Sequence, residues 1–331
     1  METRKVQLTG GSTYTVSLPK PWARRNGIEA GSTLAFLEDG NSLMVTTHVE
    51  AGPSTGQLDV TDLSGDHLTR SVMTMYVSGF DVIELTADHI SPDQRQAIRT
   101  ATQNLIGVEV LEETTDRVVI QDLLDSSELS VTNAVERMHL IADSMLEDAL
   151  VAVVENDDDL ARDVISRDDE VDRLWLVVSR IFRGTLRSPV DAAELGITRE
   201  DCFDYHSAGR QLERIADHAA KISNLALGLE ELPEAVCDAL FDLHDAVTEV
   251  TDTSIDALLE DDRDRSSQLA NESRSLVIEI DEHARVIDQL LRDLDPHEAQ
   301  HLGLVVDSLS RSADYGGNIA ETALQKAAPR P

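Results

Sequence analysis

From Glu128 to Lys326 the chain keeps one period: apolar residues return every three to four positions. That spacing lines one face of a helix and is incompatible with the alternation of a half-buried strand. The period breaks at ENDDD, RGTLRSPVDAAELG, GLEELP, EDDRD and LDP. Between the breaks it predicts helices over Val131–Glu155, Asp157–Phe182, Thr198–Leu227, Pro233–Leu259, Arg263–Leu294 and Pro296–Lys326. Short connections between long helices fold up-down-up, giving two three-helix units, 128–228 and 233–326. An internal repeat supports the pairing. DALVAVVEN is echoed by DALLEDDRD, Glu170–Asp172 by Glu279–Asp281, and ERIADHAAKI (Glu213–Ile222) by SRSADYGGNI (Ser310–Ile319).

Within the first unit, Tyr205 to Ser223 reads YHSAGRQLERIADHAAKIS. Leu212, Ile215, Ala216, Ala219 and Ile222 form its apolar stripe, and His206, Arg210, Glu213 and Asp217 share a row beside it. The preceding helix repeats the four-residue acid spacing with Asp168 and Asp172. Val164, Asp168, Val171, Trp175, Val178 and Phe182 step along one face, so Asp168 occupies a slot in an apolar stripe. A carboxylate there is costly unless paired or bound to a cation. Two facing helices carrying such pairs can gather four carboxylates, which suits a cation. Mutual repulsion raises their pKa values until positive charge arrives, from Arg210 or from a metal. Most acid pairs in a chain with 63 acids are solvated faces, as at Asp157–Asp159 and Glu260–Asp262. His206 and His218 read as polar-face residues. In the second unit the repeat sets Val277 opposite Asp168 and Ser310 opposite Glu213. Asp281 and Asp314 remain, with Asp307 a weak substitute, so a second site is in doubt.

Residues 1–50 read as a small β module. Strands are predicted at Arg4–Leu8, Tyr14–Leu18, Thr33–Leu37 and Ser42–Thr46, turns at Gly10–Ser12 and Gly40-Asn41, and a short helix at Trp22–Asn26 closed by Gly27. Bases and acids balance here, five each, in an otherwise acidic chain; the bases are Arg4, Lys5, Lys20, Arg24 and Arg25. The basic first strand, the V-x-L-P-K segment, the GIEAGS turn and the closing L-M-V strand resemble the swapped-hairpin AbrB/SpoVT family over residues 2–47. The resemblance implies an intertwined dimer presenting those five bases to DNA. A linker at 51–57 leads to a small α+β domain, 58–125, in βαβαββ order: strand Leu58–Val60, helix Asp66–Ser78 with Asp66 as N-cap, strand Val82–Leu85, helix Pro92–Leu105 capped by Ser91, and a hairpin of Val108–Leu111 with Arg117–Ile120. It carries no phosphate loop, metal spacing or nucleophile set, and reads as a spacer.

RQLERIADHAAKIS, preceded by RDDEVDRL, resembles the signature of the PhoU family, regulators of phosphate uptake, and the resemblance covers residues 128–326. It implies multinuclear metal clusters of iron or zinc. Residue by residue, it carries ligand roles onto Asp168, Asp172, Glu213 and Asp217.

The fold class is therefore multidomain: a swapped-hairpin β module, a small α/β domain, then all-α tandem three-helix bundles. The net charge of −35, with four lysines, is that of a surface soluble in high salt, and predicts a halophilic protein. An N-terminus without an apolar core and the lack of a long apolar run predict a cytoplasmic chain with no membrane insertion of its own. Cys202 and Cys237 have no metal spacing. The expected protein is a regulator and not an enzyme, without catalytic residues or an organic cofactor. Its expected partners are DNA, a second copy or higher oligomer, and a phosphate transporter or signalling protein. Two alternatives stand beside it: a carboxylate-bridged metalloenzyme, and an adaptor that does not bind DNA. Against the enzyme, Glu136…His139 and Glu298…His301 have di-iron spacing but lie in different units.

Overall fold

Gly10 (φ 66°) and Gly11 (φ 83°) take a left-handed turn that residues with a Cβ rarely adopt, and it folds β1 (Gln7–Thr9) back onto β2 (Thr13–Thr15). The computed structural model describes residues 2–39, 42–47, 53–123, 130–187, 192 and 195–329. The chain divides into two compact units, Met1–Pro53 and Ser54–Pro331. In the first, the β1–β2 ladder has three pairs, Gln7 with Thr15 through Thr9 with Thr13. The predicted strands Arg4–Leu8 and Tyr14–Leu18 are thus too long. A strand persists only where a neighbour supplies hydrogen bonds, and this ladder stops at Gln7 and Thr15. The helix α1 (Lys20–Arg25) starts two residues earlier than predicted because Pro19 and Pro21 suit a first turn; Asn26 is its C-cap. β3 (Ala35–Asp39) pairs antiparallel with β4 (Ser42–Thr46), two residues later than the predicted Thr33–Leu37. The predicted Gly40-Asn41 turn lies outside the described residues.

The second unit begins with a four-stranded sheet, order β5-β6-β8-β7, formed by β5 (Thr55–Asp59), β6 (Val82–Thr86), β7 (Val108–Glu113) and β8 (Arg117–Asp122). β5 and β6 are parallel and the other pairs antiparallel. Part of the predicted linker is therefore strand: Thr55 to Gln57 pair with Val82 to Glu84, and Val60 falls just past the ladder. α2 (Gly65–Val77) and α3 (Pro92–Gln103) cover one face with Leu68, Val72, Tyr76, Ile98 and Ala101, packed on Ile83, Leu85, Val118 and Ile120. Ser64, not Asp66, is the N-cap of α2; Asp66 lies in its first turn, where a negative charge suits the helix dipole. Ser91 and Gln94 form a full capping box on α3, which ends at Gln103 rather than Leu105.

Six long helices follow: α4 (Val131–Glu155), α5 (Asp158–Arg187), α6 (Arg199–Ala226), α7 (Glu234–Leu259), α8 (Arg263–Leu290) and α9 (Pro296–Ala327). A 3-10 turn at Leu291–Asp293 replaces the last predicted turn of α8. Asn156, left-handed at φ 54°, ends α4, and Asp157 accepts from the amides of Asp159 and Leu160 to start α5. α5 runs five residues beyond the predicted Phe182, because Gly184 weakens a helix without stopping it; Pro189 is the first residue that cannot continue one. α4, α5 and α6 pack on one another, as do α7, α8 and α9, and α6–α9 and α4–α7 contacts join the two sets. One continuous apolar core runs through all six helices. Gly316 permits the α7–α9 approach: a Cβ there would lie 2.9 Å from a Val250 methyl.

The sheet layer docks on α5 through Leu176 and Arg180. Arg180 donates to the carbonyls of Tyr76 (2.6 Å) and Phe80 (3.1 Å) and pairs with Asp81 (3.1 Å) and the half-buried Asp122 (2.7 Å). Its guanidinium also lies over the Tyr76 ring.

Candidate metal centre on α5 and α6

α5 and α6 run antiparallel. Trp175 packs against Gly209 and His206, and Phe182 against His206 and Phe203. That register carries Asp168 and Asp172 alongside Glu213 and Asp217, each pair one helical turn apart. Asp168 is half-buried beside Val164 and Val171, which are fully buried, so it does interrupt the apolar stripe. Glu213 is 9% exposed. Its Oε1 accepts from Arg210 Nη1, and its Oε2 is buried without a hydrogen-bond partner. Asp172 and Asp217 lie at the solvent edge.

Burial pushes Asp168 up to about 6, and the charges of Asp172, Asp217 and Asp169 push the same way. Glu213 rises to about 7, from burial first and Asp217 second, against the opposing pull of Arg210. Asp172 and Asp217 are also raised, by partial desolvation first; water still reaches both, so their charges are partly screened. Arg210 is therefore the counter-charge of the Glu213 side, with Arg214 behind it. Asp217 is in electrostatic reach of the other three carboxylates. The four do not yet surround one point: among the described residues, no three His, Cys, Asp or Glu side chains stand together as a ready coordination sphere. An all-oxygen donor set with an orphaned buried carboxylate oxygen nevertheless fits a hard cation in its chemistry.

His206 is not a polar-face residue. It is held between Trp175 (4.6 Å) and Phe182 (4.5 Å), and burial, Arg183 and Arg210 lower it to about 4, so it is neutral at pH 7. His218 packs on Tyr315 of α9 with Nδ1 buried and unpartnered. In the second unit Val277 packs into the core where the repeat sets Asp168, its methyl facing Gly317. Asp314 is raised, first by burial and then by Asp281 and Asp307, while Arg311 opposes. The five N-terminal bases, Arg4, Lys5, Lys20, Arg24 and Arg25, are all exposed, and Arg4 pairs with Glu2.

Sequence reasoning missed the Arg180 clamp and a polar cluster between α4 and α7. There His139 pairs with Asp252 (3.0 Å), Asp143 lies near Thr248, and His244 keeps a buried Nε2 without a partner. The four-residue spacings His139/Asp143 and Thr248/Asp252 were the available signal.

Residues 135–226, which span α4 to α6 and all four acids, match the PhoU domain model. The chain is also 30% identical over 207 residues to a phosphate-specific transport system accessory protein PhoU homolog of Caulobacter vibrioides, found in two strains; the match covers 58% of this chain and 84% of that one. The chain belongs to the PhoU family. Residues 7–51 match a second model, that of antidote-toxin recognition MazE, a bacterial antitoxin, and the module is MazE/AbrB-like. Two PhoU crystal structures are similar to this PhoU-family chain. That from Pseudomonas aeruginosa is 22% identical with TM-score 0.49, covering 59% of this chain and 93% of that one. That from Streptococcus pneumoniae is 18% identical with TM-score 0.48, covering 59% and 91%. Among the described residues, no helix is long and apolar enough to cross a membrane.

Proposed function

We propose that this PhoU-family chain is a cytoplasmic transcriptional regulator of phosphate uptake, a homodimer whose N-terminal modules hold DNA. The observation that carries it is the joining of two parts in one chain: a MazE/AbrB-like module with five exposed bases, and a PhoU region. Arg4, Lys5, Lys20, Arg24 and Arg25 contact phosphates, and Asp168, Asp172, Glu213 and Asp217 hold an iron or zinc ion, or another cation that carboxylates suit, on α5 and α6. Bound metal supplies the positive charge that their mutual repulsion calls for. The PhoU region senses cation or partner occupancy and passes it to the DNA-holding dimer. The name of the Caulobacter relative, a transport-system accessory protein, favours a second reading: an adaptor of a phosphate transporter that leaves DNA alone.

Genome-wide occupancy of the tagged protein, with and without phosphate limitation, separates the two. Discrete sites whose occupancy changes with phosphate, and which the Arg4→Ala, Lys5→Ala, Arg24→Ala triple variant loses, are expected. Occupancy indistinguishable from background in the parent protein supports the adaptor instead.

A further inference from the structure

Arg210 holds two positions at once. Nη1 donates to Glu213 Oε1, and the guanidinium carbon lies 5.7 Å from the Trp175 ring centroid. Its side chain is 43% exposed, so it is free to leave, whereas Glu213 is nine-tenths buried and is not. The second Glu213 oxygen, Oε2, is buried without a hydrogen-bond partner. A buried carboxylate whose neighbours are also acids is costly when ionised unless a cation pairs with it, and Arg210 reaches only one of its two oxygens. The internal repeat adds an independent observation. Aligning Glu213–Ile222 with Ser310–Ile319 sets Asp307 opposite Arg210. The unit that has Ser310 in place of Glu213 thus has an acid in place of the arginine, while the neighbouring arginine persists as Arg311. The arginine and the glutamate are present together and absent together.

We propose that Arg210 is a built-in cation that neutralises Glu213 in the metal-free chain and competes with the bound ion for that carboxylate. This rests on the reading of α5 and α6 as the cation site. Arrival of an ion releases Glu213 Oε1 and turns Arg210 out toward solvent, so ion occupancy is read as a displacement of Arg210 from Trp175. Arg210 is then a positioning residue that sets affinity, and it stabilises the metal-free site.

The test uses the full chain carrying Trp22→Phe, because Trp22 and Trp175 are the chain's two tryptophans. Chelator-treated protein is titrated with Zn²⁺ and, separately, Mn²⁺. Affinity is read by competition with a metal indicator, Trp175 emission reports the guanidinium, and the melting temperature is recorded with and without metal. Removing a unit charge at ion-pair distance should tighten binding by about tenfold or more in Arg210→Gln. The same variant should melt lower than the parent without metal and gain more on adding it. Emission should shift on metal binding in the parent and much less in Arg210→Gln. Arg210→Lys, which keeps the charge, should stay nearer the parent affinity and covers the case in which Arg210→Gln fails to fold. Equal or weaker binding by Arg210→Gln overturns the competitor role alone. Absence of metal binding by parent and variants overturns it together with the reading of the cation site.

Discussion

None of the neighbours that shift Asp168 is positive: burial, Asp172, Asp217 and Asp169 all raise it. Its ordinary value of 3.8 applies in the unfolded chain and about 6 in the folded one. Between those values the folded state binds the extra proton, so stability is greatest below the lower value and falls as pH rises toward 6. Glu213 continues the same trend to about 7. Between pH 4 and pH 7 these two acids lower the melting temperature of metal-free protein as pH rises, while His206, lowered to about 4, and His218, also lowered, work in the opposite direction; Asp168→Asn should therefore change the slope between pH 4 and pH 6 in the upward direction. At pH 7 the variant should be more stable by about 1 kcal/mol after discounting for solvent screening. A melting series in chelator and constant salt checks this; an unchanged slope refutes the assigned environment. A bound cation reverses the sign, because it holds the carboxylates ionised and expels the protons.

At the scale of helices, the two halves of the repeat are unequal. α5 and α6 present Asp168, Asp172, Glu213 and Asp217, whereas α8 and α9 present Val277, Asp281, Ser310 and Asp314. Asp168→Asn with Asp217→Asn should remove most metal from purified protein, and Asp281→Asn with Asp314→Asn should change it little, by elemental analysis. A larger loss in the second double variant would move the site to the other half. The helices themselves were legible because their period is local: α4 begins and ends where its apolar spacing does, and Ser91 announces α3 three residues ahead of Gln94. The strand ends were not legible: Thr55 owes its state to Val82, far along the chain, and Arg4 lies outside the ladder that begins at Gln7. The α5 extension through Gly184 was hidden by reading a weak helix former as a stop. At the site, spacing revealed which acids share a face. It also set Arg210 three residues before Glu213 on that face, the spacing of the ion pair they make. It gave no hint that His206 lies between two aromatic rings, because that depends on the α5–α6 register.

On the scale of the molecule, no described residue of the first unit is buried. Val6, Leu8, Tyr14, Val16, Phe36 and Leu43 are each more than half exposed. Two hairpins and one turn of helix cannot make a core from so little, and a second copy is the simplest source of the missing surface. Full-length protein should sediment as a dimer or higher assembly, and Leu8→Glu with Val16→Glu should lower its order; an unchanged sedimentation coefficient would place self-association elsewhere. In the second unit, α5 joins two distant places. Asp172 and Arg180 lie eight residues apart on one unbroken helix, about 12 Å along its axis. A helix bends more readily than it stretches, so it acts as a push-rod. An axial shift of α5 at the carboxylates arrives undiminished at Arg180, and there it strains four hydrogen bonds and ion pairs to the sheet layer together.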